Sequence, residues 1–93
     1  MKVENNQVLG ANNKHLMFFE TNALTNGDHM FSDTEITSFN SDLSSLTNGS
    51  YMFSRSSLTS FNGDLSSLTN GANMFNGTEI TSFSGDLSSL TDS

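Results

Sequence analysis

A chain of 93 residues makes one domain at most, and with only 33% of them hydrophobic it is too lean to wrap a thick globular core. Three basic residues (Lys2, Lys14 and Arg55) face ten acidic ones, a formal charge of −7 that argues against direct binding of nucleic acid and favours partners with basic surfaces, unless it serves only to keep the chain soluble. Cysteine is absent, so disulfides and thiolate chemistry are excluded.

The chain opens with MKVENNQVLGANNK, which has no apolar run of the length a secretory signal needs. No later stretch approaches a membrane span. The expectation is a cytoplasmic protein with no membrane contact, or a surface or virion location if the chain belongs to a larger protein. Residues 1–13, with Val3, Val8 and Leu9, read as an N-terminal cap.

From residue 14 onward the chain repeats itself. Met30-Phe31, Met52-Phe53 and Met74-Phe75 recur every 22 residues; ITSFNSDLSSLTNG and LTSFNGDLSSLTNG run between them, and ITSFSGDLSSLTDS follows the last. A fixed period of this length marks a solenoid, in which each unit buries its apolar face only against its neighbours. Regular coils then occupy 36–57, 58–79 and 80–93. A degenerate first coil covers 14–35, where Leu16-x-x-Phe19 matches the start of the unit and Leu24 to Phe31 matches its second half.

Within a unit the apolar positions, such as Ile36, Phe39, Leu43, Leu46, Met52 and Phe53, are spaced 3, 4, 3, 6 and 1 apart. Neither a strand nor a helical period fits the whole. A coil that turns several corners fits, with one inward side chain per leg. Segments 36–39, 58–61 and 80–83 are β-prone and predict parallel strands about 4.8 Å apart. The Met-Phe pairs and the column Phe39, Phe61 and Phe83 are expected in the core.

The phrase L-T-S-F…L…L-T-N-x-x-x-M-F-x-x-[T/S] resembles the BspA-like leucine-rich repeat of bacterial surface proteins, over residues 14–93. Two departures stand out: the small Cys usual in that family is replaced by Thr34, Ser56 and Thr78, and the units are slightly shorter. The resemblance implies a right-handed, leucine-rich-repeat-like stack of parallel coils, and loosely a protein-binding role.

Asp42, Asp64 and Asp86 hold one place in three coils. They either cap the turns that follow them, grip Lys or Arg of a partner, or bind calcium, although the calcium-binding nonapeptide pattern is absent. With Asn40, Asn62 and Ser84 they outline a candidate partner-binding face, to which Arg55 is added as the only basic residue of the regular coils. The last coil leaves Ile80, Thr81, Ser82 and Phe83 as an open strand edge, a candidate for homodimer formation.

No nucleophile elbow, phosphate loop or zinc-type histidine spacing occurs around His15 or His29, so no catalytic, cofactor or metal residue is expected. Asn48-Gly49-Ser50 and Asn76-Gly77-Thr78 fit the glycosylation pattern, which matters only in a eukaryotic secretory route. The expected function is a non-enzymatic protein-interaction module. One alternative is a small acidic inhibitor of the phage anti-CRISPR kind, which blocks a nucleic-acid-binding surface. Another is a structural spacer in a larger surface or tail protein.

Overall fold

The units pair with one another rung by rung, and each rung links residues 22 positions apart. The computed structural model describes residues 1–10, 15–18 (backbone only) and 20–90. Its strands are β1 (Lys2–Glu4), β2 (Gln7–Leu9), β3 (His15–Phe18), β4 (Ser38–Asn40), β5 (Ser60–Asn62) and β6 (Ser82–Ser84), with a 3-10 turn at Thr21–Ala23. They form one mixed sheet in the order β3-β2-β1-β4-β5-β6. Among the described residues the fold is β-rich without α-helix, and no helix is long and apolar enough to cross a membrane.

Strands β4, β5 and β6 are parallel, with Phe39 opposite Phe61 and Phe61 opposite Phe83. A second line of parallel bridges joins Asn26 to Asn48 and Asn48 to Asn70. The strands begin at Ser38, Ser60 and Ser82, two residues later than the sequence suggests. A corner accounts for the shift. The N–H groups of both Thr81 and Ser82 converge on the Thr59 carbonyl, so the ladder becomes regular only beyond the threonine.

Threonine recurs at these corners because its hydroxyl reinforces them. The Thr59 and Thr81 hydroxyls donate to the Thr37 and Thr59 carbonyls at 3.2 and 3.3 Å, and Thr47 and Thr69 repeat the arrangement onto Thr25 and Thr47. Thr34, Ser56 and Thr78 act within a unit instead. Each hydroxyl donates to the carbonyl of the phenylalanine three residues earlier, at 2.6–2.7 Å, and closes the Met-Phe turn.

Two phenylalanine columns run through the interior, although the outermost ring of one, Phe83, departs from expectation and is 42% exposed. Phe39, Phe61 and Phe83 stack with centroids 5.4 Å apart, and Phe31, Phe53 and Phe75 stack at 5.5 and 5.6 Å. The columns meet edge to face, as where Phe61 abuts Phe53 at 5.7 Å and Phe75 at 5.3 Å. Both geometries suit the ring quadrupole. Leu43, Leu46, Leu58, Leu65 and Leu68 complete the buried cluster with Ile36, Met52 and Met74. Met30 departs from expectation and is 42% exposed. Met52 and Met74 settle against Gly27 and Gly49 of the preceding unit.

The N-terminal end also differs from the sequence reading. Residues 16–18 do not supply the first strand of the stack, and Phe19 lies outside the described residues. The strand beside β4 is β1, with Val3 opposite Phe39, while β3 pairs antiparallel with β2 at the far edge. A two-residue turn at Asn5 and Asn6, with φ of 49° and 62°, joins β1 to β2. Both residues tolerate left-handed backbone, the requirement of a tight hairpin turn. A polar cluster locks this hairpin to the first unit. The Asn6 N–H donates to Ser41 Oγ at 2.7 Å, and the Thr21 hydroxyl donates to Asn6 Oδ1 at 2.8 Å.

Candidate functional site

A shallow polar trough runs across the rungs at the C-terminal ends of β1, β4, β5 and β6. One wall carries Asn5, Asn40, Asn62 and Ser84, the other Asp42, Asp64 and Asp86, and the floor is Ser41, Gly63 and Gly85. Two contiguous depressions share Asn62, Gly63 and Asp64, so the trough is continuous over the units. The floor is flat by necessity. A Cβ on Gly63 would stand 2.8 Å from the Ser41 carbonyl oxygen, and one on Gly85 would stand 2.9 Å from that of Gly63.

The Asp wall is built by three identical turns. Oδ1 of Asp42, Asp64 and Asp86 accepts the N–H of Ser44, Ser66 and Ser88 at 2.8, 2.9 and 2.9 Å. One oxygen of each carboxylate is thereby oriented, and the side chains remain exposed. The Ser88 N–H, helped by the Ser88 hydroxyl, holds the Asp86 carboxyl below its ordinary value. Strand spacing places successive carboxylates about 5 Å apart. Three preset anions on one line offer a guanidinium or ammonium group charge-assisted hydrogen bonds with little ordering cost.

Six of the seven residues singled out from sequence for partner contact therefore meet in one place: Asn40, Asn62, Ser84, Asp42, Asp64 and Asp86. Arg55 does not join them. It sits in the Met-Phe turn with φ of 57°, and its guanidinium pairs with Asp33 of the preceding unit at 3.0 Å. The edge residues Ile80 to Phe83 are separate from the trough floor and belong to the outer rung. Ile80 packs partly onto the core, while Phe83 is 42% exposed and Leu87 is 41% exposed.

Sequence reasoning missed the floor and Asn5. The signal for the floor was the small residue before each Asp (Ser41, Gly63 and Gly85), which is needed where two units approach closely. Asn5 enters the Asn wall only because β1 takes the place of a repeat strand, which the repeat alignment did not show. His29 also gains an unforeseen partner, stacking on Tyr51 at 4.7 Å while its Nδ1 meets Asp28 at 2.7 Å. Among the described residues no three His, Cys, Asp or Glu side chains are grouped to hold a metal ion.

No protein-family model matches the chain, and no curated protein or solved structure shows significant similarity to it.

Proposed function

We propose that this protein is a non-enzymatic interaction module, a short right-handed solenoid of the leucine-rich-repeat kind, that holds basic side chains of a protein partner in the trough. The repeat phrase shared with BspA-like units supports that fold reading. So does the 22-residue register, since parallel strands joined by a crossover are right-handed in nearly every known case. The function rests on one observation: a continuous trough in which Asp42, Asp64 and Asp86 are each held by a backbone N–H of the next turn.

A dye-labelled oligoarginine peptide is the probe. It binds the native chain at low salt and is released as salt rises. Replacing Asp42, Asp64 and Asp86 together by Asn keeps the turn acceptors but removes three charges. That variant keeps its circular dichroism spectrum and loses the peptide. Equal binding by the native chain and the triple variant would place the contact elsewhere, and the reading would fall.

A further inference from the structure

A cavity separate from the trough lies at the other end of the strands, where the Met-Phe turn leads into the threonine corner. It measures about 290 Å³ and sits between two consecutive units, with Ser56, Ser57 and Thr59 on one and Gly77 and Glu79 on the other. A single water needs only ~30 Å³, so a small organic molecule fits here. The sequence explains why the gap opens at this rung. The segment before each repeat strand reads TEIT at 34–37, SSLT at 56–59 and TEIT at 78–81, so Ser57 stands between Glu35 and Glu79 in the stack. Gly77 follows Asp33 and Arg55 at one left-handed position and adds no side chain. Arg55 Cγ lies 3.1 Å from where a Gly77 Cβ would stand, so the Arg55 stem flanks that glycine. The Arg55 guanidinium is drawn the other way, to Asp33 of the preceding unit at 3.0 Å.

The lining is rich in acceptors and poor in donors. The Ser56 hydroxyl gives its proton to the Phe53 carbonyl at 2.7 Å, and the Thr59 hydroxyl gives its own to the Thr37 carbonyl at 3.2 Å. A hydroxyl has one proton, so both oxygens offer the cavity only lone pairs. The N–H groups of Ser57, Leu58 and Thr59 are committed to the Thr34 carbonyl, Ser56 Oγ and the Thr37 carbonyl. Glu79 contributes an exposed carboxylate, and among the described residues neither it nor Glu35 has a cationic partner. Of the lining side chains, the Ser57 hydroxyl alone retains a proton to give. Such a site selects a ligand with positive charge, several donors and no acceptor. A primary ammonium meets all three conditions from one compact point, whereas a guanidinium is a planar fork suited to a single facing carboxylate. Calcium or magnesium would need more oxygens than one carboxylate supplies.

We propose that this cavity binds a short aliphatic diamine. One ammonium sits among the oxygens of Glu79, Ser56 and Thr59, and the other reaches past Ser57 towards Glu35. Glu35 and Glu79 are two rungs apart, about 9.6 Å by strand spacing. A charge-assisted hydrogen bond of about 2.8 Å at each end leaves a gap that a chain of a few methylenes spans. The methylenes then pass over Ser57, the one member of this column without a long side chain. The inference is independent of the trough, which lies beyond the other end of the strands and shares no residue with this cavity.

The test is an NMR titration of the isotope-labelled chain with butane-1,4-diamine at low salt, read at the backbone amides. Saturable shifts are expected at Ser57, Thr59, Gly77 and Glu79. They persist when Asp42, Asp64 and Asp86 are all replaced by Asn, which separates this cavity from the trough. Glu79→Gln weakens the binding roughly tenfold or more, as loss of a hydrogen bond to a charged group requires. Ser57→Leu fills the passage and abolishes the shifts. Both changes fall on exposed side chains, so the circular dichroism spectrum stays that of the native chain. Tetramethylammonium, which carries the charge without an N–H donor, produces no saturable shift at these amides. Equal affinity for tetramethylammonium, or an undiminished response in Glu79→Gln, would overturn the proposal. Diamine shifts confined to Ser44, Ser66 and Ser88, beside the trough, would overturn it equally.

Discussion

Met52 lies against Gly27, one unit back along the chain: a Cβ on that glycine would stand 2.9 Å from the methionine sulfur. Gly63 is as tightly placed, but against the Ser41 backbone carbonyl at 2.8 Å. The two clashes differ in what is able to yield. A thioether at the end of a flexible side chain moves aside, whereas a carbonyl fixed in a ladder does not. Gly27→Ala is therefore expected to cost under about 1 kcal/mol, and Gly63→Ala roughly 2–3 kcal/mol, the upper part of the range for overpacking. Chemical denaturation of the two variants checks the order.

The phenylalanine column predicts a gradient of a different kind. Phe61 is 1% exposed and touches rings on both sides and in the second column. Phe61→Ala should cost roughly 3–5 kcal/mol. The same change at Phe83, 42% exposed, should cost distinctly less. Equal losses in melting experiments would mean that the outer ring is as well packed as the middle one.

Arg55 adopts a left-handed backbone with φ of 57° at the position where the next unit has Gly77, with φ of 76°. Its ion pair with Asp33 joins two side chains that are more than half exposed. Such pairs contribute about 0–1 kcal/mol, and a left-handed non-glycine residue costs roughly 1–2 kcal/mol. Arg55→Gly should thus leave the melting temperature unchanged or raise it slightly. A clear fall would show that the ion pair outweighs the backbone strain.

Acid dependence follows from Asp86, whose carboxyl is depressed by the Ser88 N–H. Its charged form is favoured in the fold, so the stabilisation is complete above the unfolded-state value. It is lost as pH falls through the lower folded-state value. A carbon-detected NMR titration should place the Asp86 midpoint below that of an unstructured aspartate. Asp86→Asn, which keeps the turn acceptor, should flatten this part of the acid profile.

The repeat made the interior legible. Once Phe39, Phe61 and Phe83 were aligned, their stacking and the turns at Asp42, Asp64 and Asp86 followed from periodicity and Asx chemistry. The strand starts were displaced because a threonine corner and a β-strand share the same residue preferences, and only the shared Thr59 acceptor separates them. The N-terminal end was misread for another reason. Leu16-x-x-Phe19 mimics the unit, yet the competing signal, Asn5-Asn6 between Val3 and Val8, fits a tight hairpin that puts β1 on the first rung. The Met-Phe period puts Met30 on a par with Met52 and Met74, but only those two are buried, and Met30 is 42% exposed. The trough floor escaped notice because glycine carries no chemistry of its own and matters only through what it lets approach.

The register also makes length a stepwise quantity. Contacts of Met52 with Gly27 are those of Met74 with Gly49, and the Thr59 corner is repeated at Thr81, so a unit knows its neighbours but not its ordinal number. The hairpin, through Asn6, Ser41 and Thr21, is what ties the first rung down. Insertion or loss of one whole unit would move the far end by one strand spacing, about 4.8 Å, and leave the repeated contacts intact. Unequal recombination within the coding sequence would accordingly yield a family of rulers graduated in single rungs, all counted from the same hairpin.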